Sequence, residues 1–415
     1  MAEQSVLVIG GGISGLTAAL ESAEAGYDVH LVERNPYLGG RVAQLYKYFP
    51  KLCPPVCGLE LNFRRLKENP RINVYTMAEV SGISGTEGDF DVTVTLKPRY
   101  VNERCVGCDA CAEACPVHKP NDFNFGLDKS KAAYLPFAQA FPFRYVIDKE
   151  HCTGDCAQAC KDACKYDAVD LDMKPESMNL KVGSVVVATG WNPYEAERMD
   201  NLQYGKVNNL ITNMQMERLA AANGPTGGKI LRPSDGKEPK RVAFVQCAGS
   251  RDENHLSFCS YICCMASLKQ ITYLRDQYEE FAAEVFYIDI RTPGRYEQFY
   301  WNIKEDPRVA FTKGKVAKIK QAAGDAVEVT VEDALTGKKS AKTFDLVVLA
   351  TGMQPSGARA TVPGVTYVEE GFAALDAQRP GVVPVGTART PLDVQRSVQD
   401  ATGAAVKSIH TLVRR

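Results

Sequence analysis

Val6-Leu7-Val8-Ile9-Gly10-Gly11-Gly12-Ile13-Ser14-Gly15 is the stretch on which the fold turns. Four apolar residues in a row read as a buried strand, and they run straight into Gly10-x-Gly12-x-x-Gly15 with a helix-like stretch, Leu16 to Ala25, behind it. The glycines have separate jobs in such an order. Gly10 permits the tight turn, Gly12 lets backbone approach a pyrophosphate, and Gly15 lets the helix pack closely on the strand. A second strand, Asp28 to Val32, ends in Glu33, where an acidic side chain accepts hydrogen bonds from a ribose hydroxyl pair. A glycine triplet alone is weak, but strand, glycines, helix, strand and terminal acid together predict a dinucleotide-binding βαβ unit.

Downstream of Glu33 lies Gly39-Gly40-Arg41, and two further strands end in Ala188-Thr189-Gly190 and Ala350-Thr351-Gly352. In these features the chain resembles the two-dinucleotide-binding-domain flavoproteins. In that family the glycine pair and its basic neighbour approach FAD, and Ala-Thr-Gly turns mark where the chain crosses between domains. The resemblance implies flavin contacts at Gly10, Gly12, Gly15, Glu33, Arg34, Gly40, Arg41, Val80, Ala188, Thr189, Gly190, Gly352 and Gly386. One departure is plain: the family's final Gly-Asp is here Gly386-Thr387, after the strand Val382 to Val385. A helix suggested by Val394 to Val406 can still aim its N-terminal amides at the flavin.

Eight cysteines lie inside this frame. Cys105-x2-Cys108-x2-Cys111-x3-Cys115-Pro116 is the bacterial ferredoxin run that holds a [4Fe-4S] cluster, and Cys152, Cys156, Cys160 and Cys164 follow as the second half of a two-cluster ferredoxin would. The fourth cysteine of each run serves the other cluster in such proteins. That rule groups Cys105, Cys108, Cys111 and Cys164 in one set, and Cys152, Cys156, Cys160 and Cys115 in the other. The second run is irregular, with three-residue gaps throughout and Lys165 in place of proline, so zinc stays open there as an alternative.

From Arg241 another strand begins, Val242 to Val245, where a nicotinamide-binding domain would show a second glycine fingerprint. The chain instead reads Gln246-Cys247-Ala248-Gly249-Ser250-Arg251-Asp252-Glu253, then Cys259-x3-Cys263-Cys264. Composition leaves a cluster and buried core thiols both open. The string nevertheless resembles the A-type subunits of heterodisulfide reductases, whose flavin domain carries an unusual [4Fe-4S] cluster at such a motif. That resemblance implies a third cluster on Cys247, Cys259, Cys263 and Cys264, spans nearly the whole chain, and includes Pro391-Leu392-Asp393. Within the family, the short length and internal ferredoxin look most like the A-type component of the quinone-interacting membrane-bound oxidoreductase of sulfate reducers. Implied partners are a second flavin and iron–sulfur subunit, a haem-bearing quinone-reactive membrane subunit, and a soluble reductase such as adenylylsulfate reductase.

Cys53 and Cys57, in Leu52-Cys53-Pro54-Pro55-Val56-Cys57, admit two readings, a redox-active disulfide or a structural pair lining the flavin pocket. The two prolines favour the structural pair, because they would break the helix on which such a disulfide sits.

Composition narrows the field. The 49 basic and 50 acidic residues nearly cancel, so no single-sign field draws the chain to nucleic acid or an anionic membrane. Apolar runs such as Val185 to Ala188 are far short of a bilayer span, and the N-terminus shows no basic region or cleavage site before its first strand. A cytoplasmic protein, membrane-associated only through partners, is expected; its fourteen cysteines then point to metal or redox chemistry rather than a disulfide framework. The expected α/β architecture is a two-dinucleotide-binding-domain flavoprotein with an inserted bacterial-type ferredoxin. Its segments are residues 1–97, 173–237 (with linker) and 345–415 for the FAD domain, 98–172 for the ferredoxin, and 238–344 for the second nucleotide-type domain. No general acid or base stands out, so electron transfer is the expected activity. The alternatives are an autonomous NAD(P)H-dependent reductase like the small subunit of glutamate synthase, which the missing second fingerprint opposes, and a scaffold whose cofactors only hold subunits together.

Overall fold

The structure, a computed structural model, describes residues 4–152 and 156–413. The opening apolar run forms the strand Ser5–Ile9, fully buried along its length, at the centre of a five-stranded parallel sheet. Its neighbours are Asp28–Glu33 and then Ile72–Thr76 on one side, and Ser184–Val187 and then Val382–Pro384 on the other. One face of the sheet is covered by the helices Ile13–Glu24 and Val394–Val413, packed on each other, with Pro55–Glu68 beside them. The other face packs against an antiparallel layer of Ala78–Thr86, Asp89–Leu96 and Glu176–Val182 through Phe90, Val92, Val94 and Val182. Both faces of the central strands are therefore dry, which is why they read as continuous rather than alternating apolar runs.

The ferredoxin-like segment leaves this layer after Leu96 and returns to it at Glu176, antiparallel partners in register. It holds two short helices, Ala110–Ala114 and Cys156–Asp162, packed on each other, and two small hairpins, His118–Pro120 with Lys129–Lys131 and Ala133–Tyr134 with Val146–Ile147. Its core combines Val101, Tyr145, Ile147 and Val169 with Cys111, Cys115 and Cys160.

A second compact unit comprises Asn192–Gln354. Five parallel strands run in the order Leu210–Thr212, Leu346–Thr351, Arg241–Ala248, Ala282–Tyr287 and Val309–Lys313, and an antiparallel sheet of Val316–Gln321, Val327–Glu332 and Lys339–Phe344 covers them. Helices Asn213–Ala220 and Cys263–Gln277 pack on each other through a buried polar cluster. Glu217 receives Lys269 Nζ at 3.2 Å, Gln270 Nε2 at 2.7 Å and the Tyr273 hydroxyl at 3.0 Å.

These units redraw the expected boundaries. Residues 192–237 and the strand Leu346–Thr351 were assigned to the FAD domain, but both belong to the second unit, because Leu210–Thr212 and Leu346–Thr351 are hydrogen-bonded strands of its sheet. The chain crosses between units next to the two Thr-Gly turns, at 191/192 and 354/355. Prolines 54 and 55 also act differently from expectation. They start the helix Pro55–Glu68 instead of breaking one, since a proline in the first turn lacks only an N–H that has no helical partner there.

Candidate functional site

The glycine fingerprint is built as its sequence requires. Gly10 has φ +108°, and a side chain on it would overlap the Ala188 carbonyl oxygen. A Cβ on Gly15 would overlap the Gly10 carbonyl oxygen, and one on Gly40 would stand 2.9 Å from Gly12 Cα. Gly12 and Gly40 thus meet backbone to backbone, reinforced by Gly39 N donating to Gly11 O at 2.8 Å. The helix Ile13–Glu24 begins at this point with Gly12 as its N-cap and no capping side chain, so its first amides are open to an anionic ligand.

Glu33 ends its strand at 6% exposure. Its Oε2 accepts from Gly11 N at 2.6 Å, and its Oε1 accepts from Asn35 N at 2.8 Å and Asn35 Nδ2 at 2.7 Å. A carboxylate has about four acceptor sites, so one on Oε2 remains for a ribose hydroxyl. Burial pushes the carboxyl pKa up from its ordinary value, against the pull of those donors.

Arg41 is held in place, its Nε donating to Trp191 O at 3.2 Å and its Nη1 to Gln44 Oε1 at 3.0 Å, with Phe125 at 5.7 Å. Arg34 is exposed, Val80 is buried in the covering layer, and Ala188, Thr189 and Gly190 lie at the end of the strand beside Gly10. Gly386 adjoins Ser14, and its N–H donates to Asp400 Oδ2 at 2.7 Å, so a carboxylate from the last helix meets the turn where the family aspartate is missing. Gly352 is elsewhere. It sits in the second unit, where a Cβ would overlap Ser250 Oγ.

The inserted segment is fastened to this cradle by aromatic side chains that the sequence reading did not single out. Tyr37, two residues before Gly39, packs on Phe123 and Phe137 with centroids 5.6 and 5.4 Å away, and those two rings stack at 4.8 Å. Gln44 Nε2 donates to Phe123 O at 3.1 Å, and Leu38 N to Phe141 O at 2.9 Å.

Among the ferredoxin cysteines, Cys105 interacts with Cys108 and Cys164, and Cys111 with Cys105 and Cys160. Cys160 interacts with Cys115, and its Sγ donates to Cys111 O at 3.4 Å. The fourth cysteine of each run therefore lies with members of the other run. Burial pushes Cys111 and Cys160 up to about 12 and about 11, so both are thiols at neutral pH unless a cation compensates the thiolate. Cys152 and Cys156, expected in the second ligand set, lie with their sulfur atoms in contact, Cys156 opening its helix. Cys53 is half-buried and Cys57 exposed, both unpaired beside Tyr48, whose hydroxyl burial pushes up.

In the second unit, Cys247 ends a strand with φ +54°, and Cys263 and Cys264 begin the helix Cys263–Gln277. All four motif cysteines interact, and burial raises Cys263 well above the ordinary thiol value and Cys264 to about 11. Gln246, next to Cys247, is buried with neither amide atom partnered by protein. A helix N-terminus, three buried thiols with the half-buried Cys259, and an unsatisfied amide at the ends of parallel strands fit an anionic cluster, in the position where the first unit places its glycine cradle. Among the described residues no three His, Cys, Asp or Glu side chains converge as ligands of one metal ion do. A [4Fe-4S] cluster instead spreads its thiolates over four irons. Asp289 and Arg291, beyond the strand Ala282–Tyr287, also reach these cysteines; their only sequence signal is a charged Asp-x-Arg after an apolar strand.

Fold and site define the two-dinucleotide-binding-domain flavoprotein architecture, carrying a bacterial-type ferredoxin insertion. Family models match residues 8–49 as an NAD(P)-binding Rossmann-like domain and residues 98–118 as a 4Fe-4S binding domain. Over nearly its whole length the chain is a homologue of the A-type subunits of heterodisulfide reductases, and it groups with that family. It is 37% identical to the A-type subunit of the H(2):CoB-CoM heterodisulfide,ferredoxin reductase of Methanothermobacter marburgensis, across 99% of this chain and 64% of the relative. It is 40% identical to the A-type iron-sulfur subunit of the CoB--CoM heterodisulfide reductase of Methanocaldococcus jannaschii, across 97% of this chain and 63% of the relative. The chain thus spans less than two thirds of the length of these curated relatives. Thioredoxin reductase from Lactococcus lactis shares the fold at a TM-score of 0.55 and 14% identity, covering 99% of this chain and all of that one. Among the described residues no helix is long and apolar enough to cross a membrane.

Proposed function

We propose that this chain is an FAD and iron–sulfur electron-transfer subunit that converts electron pairs into single electrons. The observation that carries the proposal is that the glycine cradle and the ferredoxin cysteines occupy one compact unit, fastened by the Tyr37–Phe123–Phe137 stack. When bound, FAD supplies a two-electron couple and [4Fe-4S] clusters supply one-electron couples whose potentials span roughly −700 to +450 mV. The protein's own part is positional. Glu33 and the glycine turns would hold the dinucleotide, Arg41 presents a fixed positive charge, and three cysteine sets would hold iron, the ferredoxin sets around a core that buries Cys111, Cys115 and Cys160.

The partners follow the family resemblance. The proposed complex contains a second flavin and iron–sulfur subunit and a haem-bearing membrane subunit, and links the quinone pool to a soluble sulfur-metabolism reductase such as adenylylsulfate reductase at the cytoplasmic face. The relatives' names refer instead to a CoB-CoM heterodisulfide and ferredoxin, so that substrate pair is the competing assignment. Anaerobically purified protein should contain flavin and about twelve irons per chain, with cluster EPR signals on reduction. Flavin without iron refutes the proposal. In the complex, a quinol should reduce the flavin only when the membrane subunit is present; reduction by ferredoxin with no response to quinol assigns the chain to the heterodisulfide side. Bleaching of the isolated chain by NADH or NADPH would revive the autonomous reductase, against which stands the Cys247-Ala248-Gly249-Ser250 sequence at the expected fingerprint.

A further inference from the structure

Two guanidinium groups converge behind the cysteines of the second unit. Arg251 Nη1 is 2.7 Å from Asp289 Oδ1, and Arg291 Nε is 3.4 Å from the same oxygen, so one carboxylate orients both. The same groups reach sulfur. The Arg251 side chain lies near enough to Cys247, and the Arg291 side chain to Cys259, to interact electrostatically, while Cys264 Sγ lies 3.8 Å from Asp289 O. Tyr261 N adds a contact to Cys259 Sγ at 3.4 Å. Cys247, Cys259 and Cys264 thus lie beside Arg251 and the Asp289–Arg291 segment.

The charge balance is favourable to electrons. Asp289 neutralises one guanidinium and leaves one positive charge uncompensated beside the cysteines, because the neighbouring acid, Asp252, is held by Lys315 Nζ at 2.7 Å. An arginine stays charged at any working pH, so this charge is fixed. Adding an electron to a cluster makes it more negative, and N–H donors to sulfur and nearby positive charge both favour that state.

We propose that Arg251, Asp289 and Arg291 form a charge clamp that raises the reduction potential of the cluster held by Cys247, Cys259, Cys263 and Cys264. The clamp rests on the three-cluster reading above. Arg251 and Arg291 act here as positioning residues.

The test is EPR-monitored potentiometric titration of the anaerobic protein carrying Arg291→Gln, with Arg291→Lys as the conservative variant. The midpoint of the second-unit cluster should fall in Arg291→Gln by a tenfold or larger change in its one-electron equilibrium, about 59 mV, and recover most of that change in Arg291→Lys. The ferredoxin midpoints should not move. Arg251→Lys, which keeps charge but loses the planar fork, should give a smaller downward shift if Arg251→Gln fails to load iron. An unchanged midpoint in Arg291→Gln with full iron content overturns the clamp. Unsubstituted protein with about eight irons and no third EPR signal overturns the cluster itself, a separate outcome.

Discussion

Replacing Lys269 with methionine isolates the lock that holds the ligand-bearing helix of the second unit. The helix Cys263–Gln277 carries Cys263 and Cys264 in its first turn and Lys269, Gln270 and Tyr273 in the next two, all three directed at Glu217. The ion pair is 3.2 Å long, with side chains 6% and 2% exposed, so solvent screens it little. Removing one partner from such a pair costs about 3–5 kcal/mol, because the remaining charge is left buried. Glu217 keeps Gln270 at 2.7 Å and Tyr273 at 3.0 Å, which places the expected loss at the lower end, about 3 kcal/mol. For a unit of this size that lowers the Tm by roughly 6–12 °C. Calorimetry of the Lys269→Met protein, with unit-specific unfolding followed by limited proteolysis, measures the shift. Adding Glu217→Gln should recover most of it, since no buried charge then remains. A single-variant shift below about 2 °C, or a double variant less stable than the single one, refutes the idea that the pair locks the helix.

Three further outcomes are expected. Gly15→Ala should release flavin on desalting while the chain stays folded, because the new methyl group drives the helix Ile13–Glu24 off the Gly10 carbonyl; overpacking of this kind costs about 1–3 kcal/mol, and full flavin retention contradicts it. Glu33→Gln should weaken flavin binding and flatten the pH dependence of the flavin-free chain. Burial raises the Glu33 carboxyl in the folded state, so its contribution to stability is fullest below the ordinary carboxylate range and is lost as pH rises through the folded pKa; denaturant titrations across that range measure it. Cys164→Ser should selectively impair the cluster proposed on Cys105, Cys108 and Cys111, and Cys115→Ser the other; Mössbauer spectra showing the reverse assignment would reject the crossed sets.

The dinucleotide frame was legible because backbone sterics leave few residues free at such a turn. Gly10, Gly15 and Gly40 are each required by an atom close enough to exclude a side chain, so the chain had to write them as glycine. The first ferredoxin run was legible because its Cys-x2-Cys-x2-Cys-x3-Cys-Pro spacing is itself the 4Fe-4S pattern that the family match over residues 98–118 recognises. Where sequence reading failed, the deciding contact was long-range. Leu346–Thr351 looked like a return to the first sheet, and only its pairing with Leu210–Thr212 and Arg241–Ala248 places it, and Gly352 with it, in the second unit. Asp400 reaches Gly386 from fourteen residues downstream, which no local Gly-Asp pattern could signal. The Pro54-Pro55 reading went astray on local physics: proline's cost falls in a helix interior, and these two stand at its start.

The crossed arrangement of the ferredoxin cysteines bears on how the protein is made. In the proposed sets, Cys105 shares a cluster with Cys164 and Cys115 with Cys160, so neither binding site is complete until the polypeptide has been synthesised past both runs. The segment that takes the iron has its two ends, Leu96 and Glu176, paired across a sheet. Each cluster becomes a clasp between the halves of the other, and a cell starved of iron should accumulate chains with both positions empty rather than a population loaded at one.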